Sequence, residues 1–284
     1  MGEFNMRTST VKSILKHLIV IVIGFVSLYP VLWMIGSSFK PNSMIFSETW
    51  FWPQIWTLDN YINGMRGTQG SPFYIYITNS IIISLGAVIG SVISCSFAGY
   101  AIARLNFRFK KIAFGIMMAT IMLPVHVKLI PQYIMFNQLG WIDTFLPIVL
   151  PKFFAVEGFF TFLIIQFIRG IPKDLDEAAT IDGCGNIRIY WSIIMPLSKP
   201  ALITTAIYAF LWTWDDFLSQ LIFLSNNRLY TVPLGLRLFL DSSSQSDWGA
   251  MFAMSVISLL PCLIIFALCQ KHFVQGVATT GMKG

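Results

Sequence analysis

From Leu18 to Phe39 the chain runs 22 residues without a charged side chain. Five more apolar stretches follow, and about 20 such residues suffice for a helix to cross the hydrocarbon core of a bilayer. The pattern predicts six membrane-spanning helices, at about 16–37, 73–98, 112–133, 144–168, 201–224 and 248–270. The second and sixth carry no charge, and the first carries none after Lys16. The third is interrupted by Lys128, the fourth by Lys152 and Glu157, and the fifth by Asp215 and Asp216. A span holding such residues cannot face lipid on every side, so these three are expected to line the bundle interior or a water-filled path. The predicted class is an all-α integral membrane protein, with 1–284 forming a single transmembrane domain.

The longest polar stretch, 169–200, separates the fourth and fifth spans. Pro172 and Asp174 open it with helix-start chemistry, and Asp174, Asp176 and Glu177 fall near the positive end of a helix dipole. Ala178 and Ala179 favour helix and leave room for a partner to pack. Gly183 is free to take the left-handed conformation that stops a helix. Asn186 then reads as the N-cap of a second helix running toward Pro196. The expected object is a helix, a tight turn and another helix on one membrane face.

Composition agrees with the pattern. Apolar residues make up 56% of the 284 and charged residues 11%, against about 25% charged in a soluble domain. The net charge of +6 does not imply nucleic acid, because Lys and Arg are not gathered on one soluble face. Their placement fits membrane orientation instead. With the N-terminus in the cytoplasm, thirteen of the nineteen fall on the inner side, leaving Lys40, Arg66, Lys128, Lys152, Arg228 and Arg237 elsewhere. Both termini and loop 169–200 are then cytoplasmic.

The start is expected to be an uncleaved span, because no small-x-small cleavage site follows it. Gly2-Glu3-Phe4 reads as a cloning remnant, with the native start expected at Met6. Cys95, Cys184, Cys262 and Cys269 lack metal-ligand spacing and read as small buried residues. In the second span, Gly86, Gly90, Ser94 and Ala98 recur every four residues, a small-residue face that lets helices approach closely. Its expected use is packing within this chain, with packing against another subunit as the alternative. The outer loop 38–72, with Trp50, Trp52, Pro53 and Trp56, reads as an interfacial cap.

The spacing in the polar loop is more specific than its capping chemistry. Glu177-Ala178-Ala179 is followed by three residues and Gly183, then nine residues, then Ile193 and, after one more, Met195-Pro196. This resembles the signature loop of permease subunits of binding-protein-dependent ABC importers, with Met195 in a usual Leu place. Further landmarks resemble the second permease of the maltose-type carbohydrate group. They are Leu123-Pro124, Leu129-Ile130-Pro131, Leu139-Gly140-Trp141, Ile171-Pro172-Lys173, Phe210-x-Trp212-x-Trp214 and the Gly-rich tail from Phe273 to Gly284. Asp215 stands where that group usually has Asn, and Lys152 and Glu157 where it usually has small or apolar residues.

The resemblance implies a type I importer permease fold in a bacterial inner membrane. It implies a second, non-identical permease, two ATPase subunits and an extracytoplasmic solute-binding protein as partners. Glu177, Ala178, Ala179, Asp182, Gly183, Ile193 and Pro196 are then the residues that couple to the ATPase. ATP and Mg would be used by that partner, with no cofactor, metal or catalytic residue in this chain. No lysine here directly follows a glycine, so the phosphate-cradling loop of a Walker A site cannot form.

For the translocation path, the candidates are Lys128, Lys152, Glu157, Trp212, Trp214, Asp215 and Asp216. Trp212 and Trp214 suit stacking on sugar rings, though an interfacial belt or core packing explains them as well. Lys128 and Lys152 admit an acidic oligosaccharide such as an alginate or pectin fragment. One alternative is an ABC permease for a non-sugar solute. Another is a proton-coupled secondary transporter using Glu157, Asp215 and Asp216, with His126 as shuttle. His17, His126 and His272 are too scattered to make an enzyme site.

Overall fold

The computed structural model describes residues 2–68, 70–240 and 246–281, with side chains at 13, 15–68, 70–240 and 246–269. Among them every regular element is helical. In chain order these are α1 (Gly2–Ser37), α2 (Asp59–Arg66), α3 (Phe73–Arg104), α4 (Lys110–Met122) and α5 (Val125–Gln138). Then come α6 (Leu146–Val149), α7 (Gly158–Gly170), α8 (Asp174–Ile181), α9 (Asn186–Ile189) and α10 (Met195–Leu197). The last are α11 (Lys199–Trp214), α12 (Leu218–Phe223), α13 (Val232–Arg237) and α14 (Trp248–Gly281).

Four stretches are long and apolar enough to cross a membrane: Leu15–Ser37, Phe73–Arg104, Leu146–Gly170 and Trp248–Cys269. Two bent pairs raise the number to six if each is one span. The described residues form two compact units, one within 1–68 and 236–257, the other within 69–235 and 258–284.

In the first unit, the apolar part of α1 leaves Leu18, Val20, Ile21, Val26 and Leu28 exposed, as a lipid-facing helix would. The loop after it is built around Lys40, which is fully buried. Its ammonium donates to the carbonyls of Glu48 (2.8 Å) and Trp50 (2.7 Å) and pairs with the Glu48 carboxylate at 3.8 Å. Asn60, also buried, donates to the carbonyls of Ser38 and Lys40. A buried charge is tolerable only when satisfied in this way. Trp50, Trp52 and Trp56 remain exposed around the loop.

In the second unit, α3 is the spine, with α7 and α11 packed along it. Its small-residue face seats the segment 146–154. A Cβ on Gly86 would come within 2.8 Å of Val149, and one on Gly90 within 2.7 Å of the Phe153 ring. The Ser94 hydroxyl donates to the Lys152 carbonyl at 2.7 Å. The face therefore packs within the chain, as expected.

Three of the predicted spans are not straight helices. The run expected at 112–133 divides into α4 and α5, which meet at 105°. Leu123, just before Pro124, is extended (φ −77°, ψ 124°), because proline excludes the helical conformation for its predecessor. The run expected at 144–168 passes from α6 into a 3-10 turn, Leu150–Phe154, and breaks at the left-handed Ala155 (φ 53°) before α7. The run expected at 201–224 stops at Trp214, and α12 follows only after Asp215, Asp216 and Phe217. Two adjacent carboxylates at a helix C-terminus oppose its dipole and end it there.

Candidate functional site

The polar loop folds as α8, a turn, and a continuous helical arm from Asn186 to Leu197. The carboxylates of Asp174, Asp176 and Glu177 occupy the first turn of α8, where the helix dipole favours negative charge. Pro172 lies ahead of the helix, whose N-cap is Lys173. At the other end Gly183 is left-handed (φ 78°). The Gly183 N–H donates to the Thr180 carbonyl at 3.0 Å and the Cys184 N–H to the Ala179 carbonyl at 2.9 Å. That pair of bonds is a Schellman motif, which satisfies the last carbonyls and reverses the chain.

The second helix starts one residue earlier than its sequence implies. Gly185 (φ −77°, ψ 164°) is the N-cap, and Asn186 is the first helical residue. The carbonyl of Asn186 is taken by the Tyr100 hydroxyl at 3.1 Å. From Tyr190 to Ile194 the arm widens into a π turn, a form often found at functional positions.

The loop has an inner and an outer side. Ala179, Ile189, Tyr190 and Ile194 are buried in one cluster with Tyr100, Ile164 and Ile168, and Ile193 packs against it. Glu177, Ala178, Asp182, Gly183 and Pro196 are exposed. So are two large side chains without an apparent role in folding, Ile181 at 87% and Ile187 at 75%. Of the two alanines in the motif, only Ala178 is available to a partner; Ala179 is spent on the core.

The path candidates do not form one cluster. Lys152 and Glu157 meet in an ion pair across the break before α7, both half-buried. Trp212 is half exposed and lies against Phe159, Tyr208 and Phe160, stacked on the last at 5.0 Å. Trp214 is buried and stacks on Phe210 at 5.4 Å, so within this chain it is core. Asp216 accepts the Ser219 N–H at 3.0 Å and caps the turn into α12. Asp215 is the exposed C-cap of α11. Lys128 is half-buried on α5 with no ion-pair partner among the described residues. The Gly-rich tail lies outside the described side chains.

The sequence profile described as "Binding-protein-dependent transport system inner membrane component" matches residues 90–279, about two thirds of the chain and all of α8 to α10. The chain belongs to that family.

Relatives align over nearly the whole length of this chain. The probable ABC transporter permease protein YurM of Bacillus subtilis is 34% identical, covering 90% of this chain and 84% of that protein. The trehalose/maltose transport system permease protein MalG of Thermococcus litoralis is 32% identical, covering 98% and 100%. The arabinooligosaccharides transport system permease protein AraQ of Halalkalibacterium halodurans is 31% identical, covering 98% and 99%. The fold matches a chain of a bacterial ABC transporter involved in the import of the acidic polysaccharide alginate. There the TM-score is 0.83 over 94% of this chain and 98% of that one, at 20% identity. The protein is thus a membrane-spanning transport subunit of the type I importer permease fold, and not an enzyme.

Two features of the loop are not evident from the sequence. Ile181 and Ile187 went unnoticed because each stands inside a helix where an apolar residue usually means core. Ser96, Tyr100 and Arg104, which grip the loop from α3, share a four-residue spacing that was legible. They were overlooked because the small residues of the same span follow the same period.

Proposed function

We propose that this protein is the permease subunit of an ATP-driven importer for a sugar or oligosaccharide. It works with a second, non-identical permease, two ATPase subunits and an extracytoplasmic binding protein, in a bacterial inner membrane with both termini cytoplasmic. The observation that carries this reading is the α8–Gly183–α9 unit. Its inner side is fixed to the chain by a buried cluster, while Glu177, Ala178, Ile181, Asp182 and Ile187 stand free. Exposed isoleucines beside a carboxylate suit a soluble partner with an apolar cleft and a basic rim. ATP and Mg belong to that partner, and the loop transmits its closure.

Carbohydrate is the favoured cargo because relatives aligned over almost the full chain are named for trehalose/maltose and for arabinooligosaccharides. Neutral oligosaccharides fit best, since Glu157 already neutralises Lys152. An acidic sugar such as an alginate fragment rests on Lys128 and on the fold shared with the alginate importer. The test is reconstitution of the whole importer in proteoliposomes, with ATP on the loop side and loaded binding protein on the other. Uptake should require both, and Glu177→Lys should reduce the ATPase that co-purifies. Uptake driven by a proton gradient without ATP would overturn the proposal in favour of a secondary transporter.

A further inference from the structure

We infer that the α3 face bearing Ser96, Tyr100 and Arg104 is the strut that carries movement of the loop into the membrane, with Arg104 as the positioning residue that sets the angle of α8. The inference rests on the loop being the ATPase-coupling element. The three residues stand four apart, so they share one face of the helix. Each holds a different part of the loop. The Ser96 and Tyr190 hydroxyls are 2.7 Å apart. The Tyr100 hydroxyl donates to the Asn186 carbonyl at 3.1 Å. The Arg104 guanidinium donates through Nη2 to the Ile171 carbonyl at 2.7 Å, and its Nε lies 3.1 Å from the Asp176 carboxylate.

The attachments thus reach the entry to the loop, α8 and both ends of α9, from about 12 Å of helix. One attachment would leave a hinge. Several attachments along a rigid helix remove the freedom to swivel, so a push on α8 must displace α3. Phe97 adds a plate to the joint, stacked on the buried Tyr190 at 4.5 Å and 21°. The π turn begins at that same tyrosine. The Arg104–Asp176 pair is shielded, with side-chain exposures of 5% and 20%. A shielded ion pair adds little stability compared with apolar replacements of similar size, while the Nη2 hydrogen bond to the Ile171 carbonyl aims the guanidinium at α8. Orientation is therefore its use here.

The experiment uses the complete reconstituted importer, with ATP hydrolysis and solute uptake measured in the same vesicles. In Arg104→Met, and in the apolar pair Arg104→Met/Asp176→Leu, the ATPase should stay bound and hydrolyse. Solute moved per ATP should fall about ten-fold, the scale of losing one hydrogen bond to a charged group. The exchange Arg104→Asp/Asp176→Arg should recover part of what Arg104→Asp alone loses. A role in folding alone would lower yield without changing that ratio.

Unchanged uptake per ATP in Arg104→Met would overturn the strut, while Glu177→Lys, run in parallel, reports separately on docking. ATPase retained by Glu177→Lys would overturn the coupling reading and the strut with it. A second measurement, which needs neither Arg104 nor Asp176 altered, covers the case in which Arg104→Met fails to assemble. Spin labels on the exposed Ile93 and Ser192 should keep one separation in nucleotide-free and ATP-trapped importer. A change approaching one helical turn, about 5 Å, would overturn the proposal.

Discussion

Gly183 has a positive φ of 78° and open space where a Cβ would stand. Any cost of substitution there is therefore backbone strain and not collision. Gly183→Val should strain the Schellman turn by about 1–2 kcal/mol and displace α9 relative to α8. The expected result is normal insertion, measured by membrane fractionation, with ATP-driven uptake lost. Ile181 gives the complementary case. At 87% exposure, Ile181→Asp should change folding stability by no more than about 0.5 kcal/mol. A deficit in pulled-down ATPase, with an unaltered melting temperature of the purified chain, is the expected observation. At this scale the sequence was informative about the turn: Gly183 is left-handed and ends α8, as its place in the loop implied. What stayed hidden was facing, because Ala178 and Ala179 are the same residue and only the packing of α8 sends one out and the other in.

Helical elements were legible as apolar runs but not as shapes. A run of 22 apolar residues reads alike whether straight or folded at 105°, since hydropathy carries no direction. The clues lay in residues that break helices: Pro124 for the bend between α4 and α5, and Asp215-Asp216 for the end of α11. The Lys152–Glu157 pair marks a third break, and its partners were visible only as isolated charges. Across that break, removing one partner leaves the other charge in a half-buried site. Lys152→Met should therefore destabilise the detergent-purified importer by about 1–3 kcal/mol, less than a fully buried pair would cost. The double replacement Lys152→Met/Glu157→Met should recover most of that loss, because both charges leave together. Thermal aggregation of the three proteins side by side is the measurement, and a double variant no better than the single one would refute this role for the pair.

In the proposed topology, charge sets the arrangement of the whole chain in the membrane and the side that the loop can serve. Thirteen of nineteen Lys and Arg fall on the side of the N-terminus when six crossings are counted, and orientation follows such a bias. ATP is cytoplasmic, so a loop meant for an ATPase must lie on that same side. The placement of Lys and Arg is independent of the loop's motif, and the proposed topology satisfies both. A single cysteine at Ile187, in a background with Cys95, Cys184, Cys262 and Cys269 replaced, should react with a membrane-impermeant maleimide only after cells are opened. A cysteine at Asn226, beyond the end of α12, should react in intact cells. Both positions are well exposed in the structure, and labelling the chain expressed without its ATPase keeps Ile187 uncovered, so silence would reflect sidedness and not burial. Labelling of Ile187→Cys from outside would remove the loop from the ATPase's compartment, and with it the strut of α3 and the reading of the protein as an ATP-driven permease.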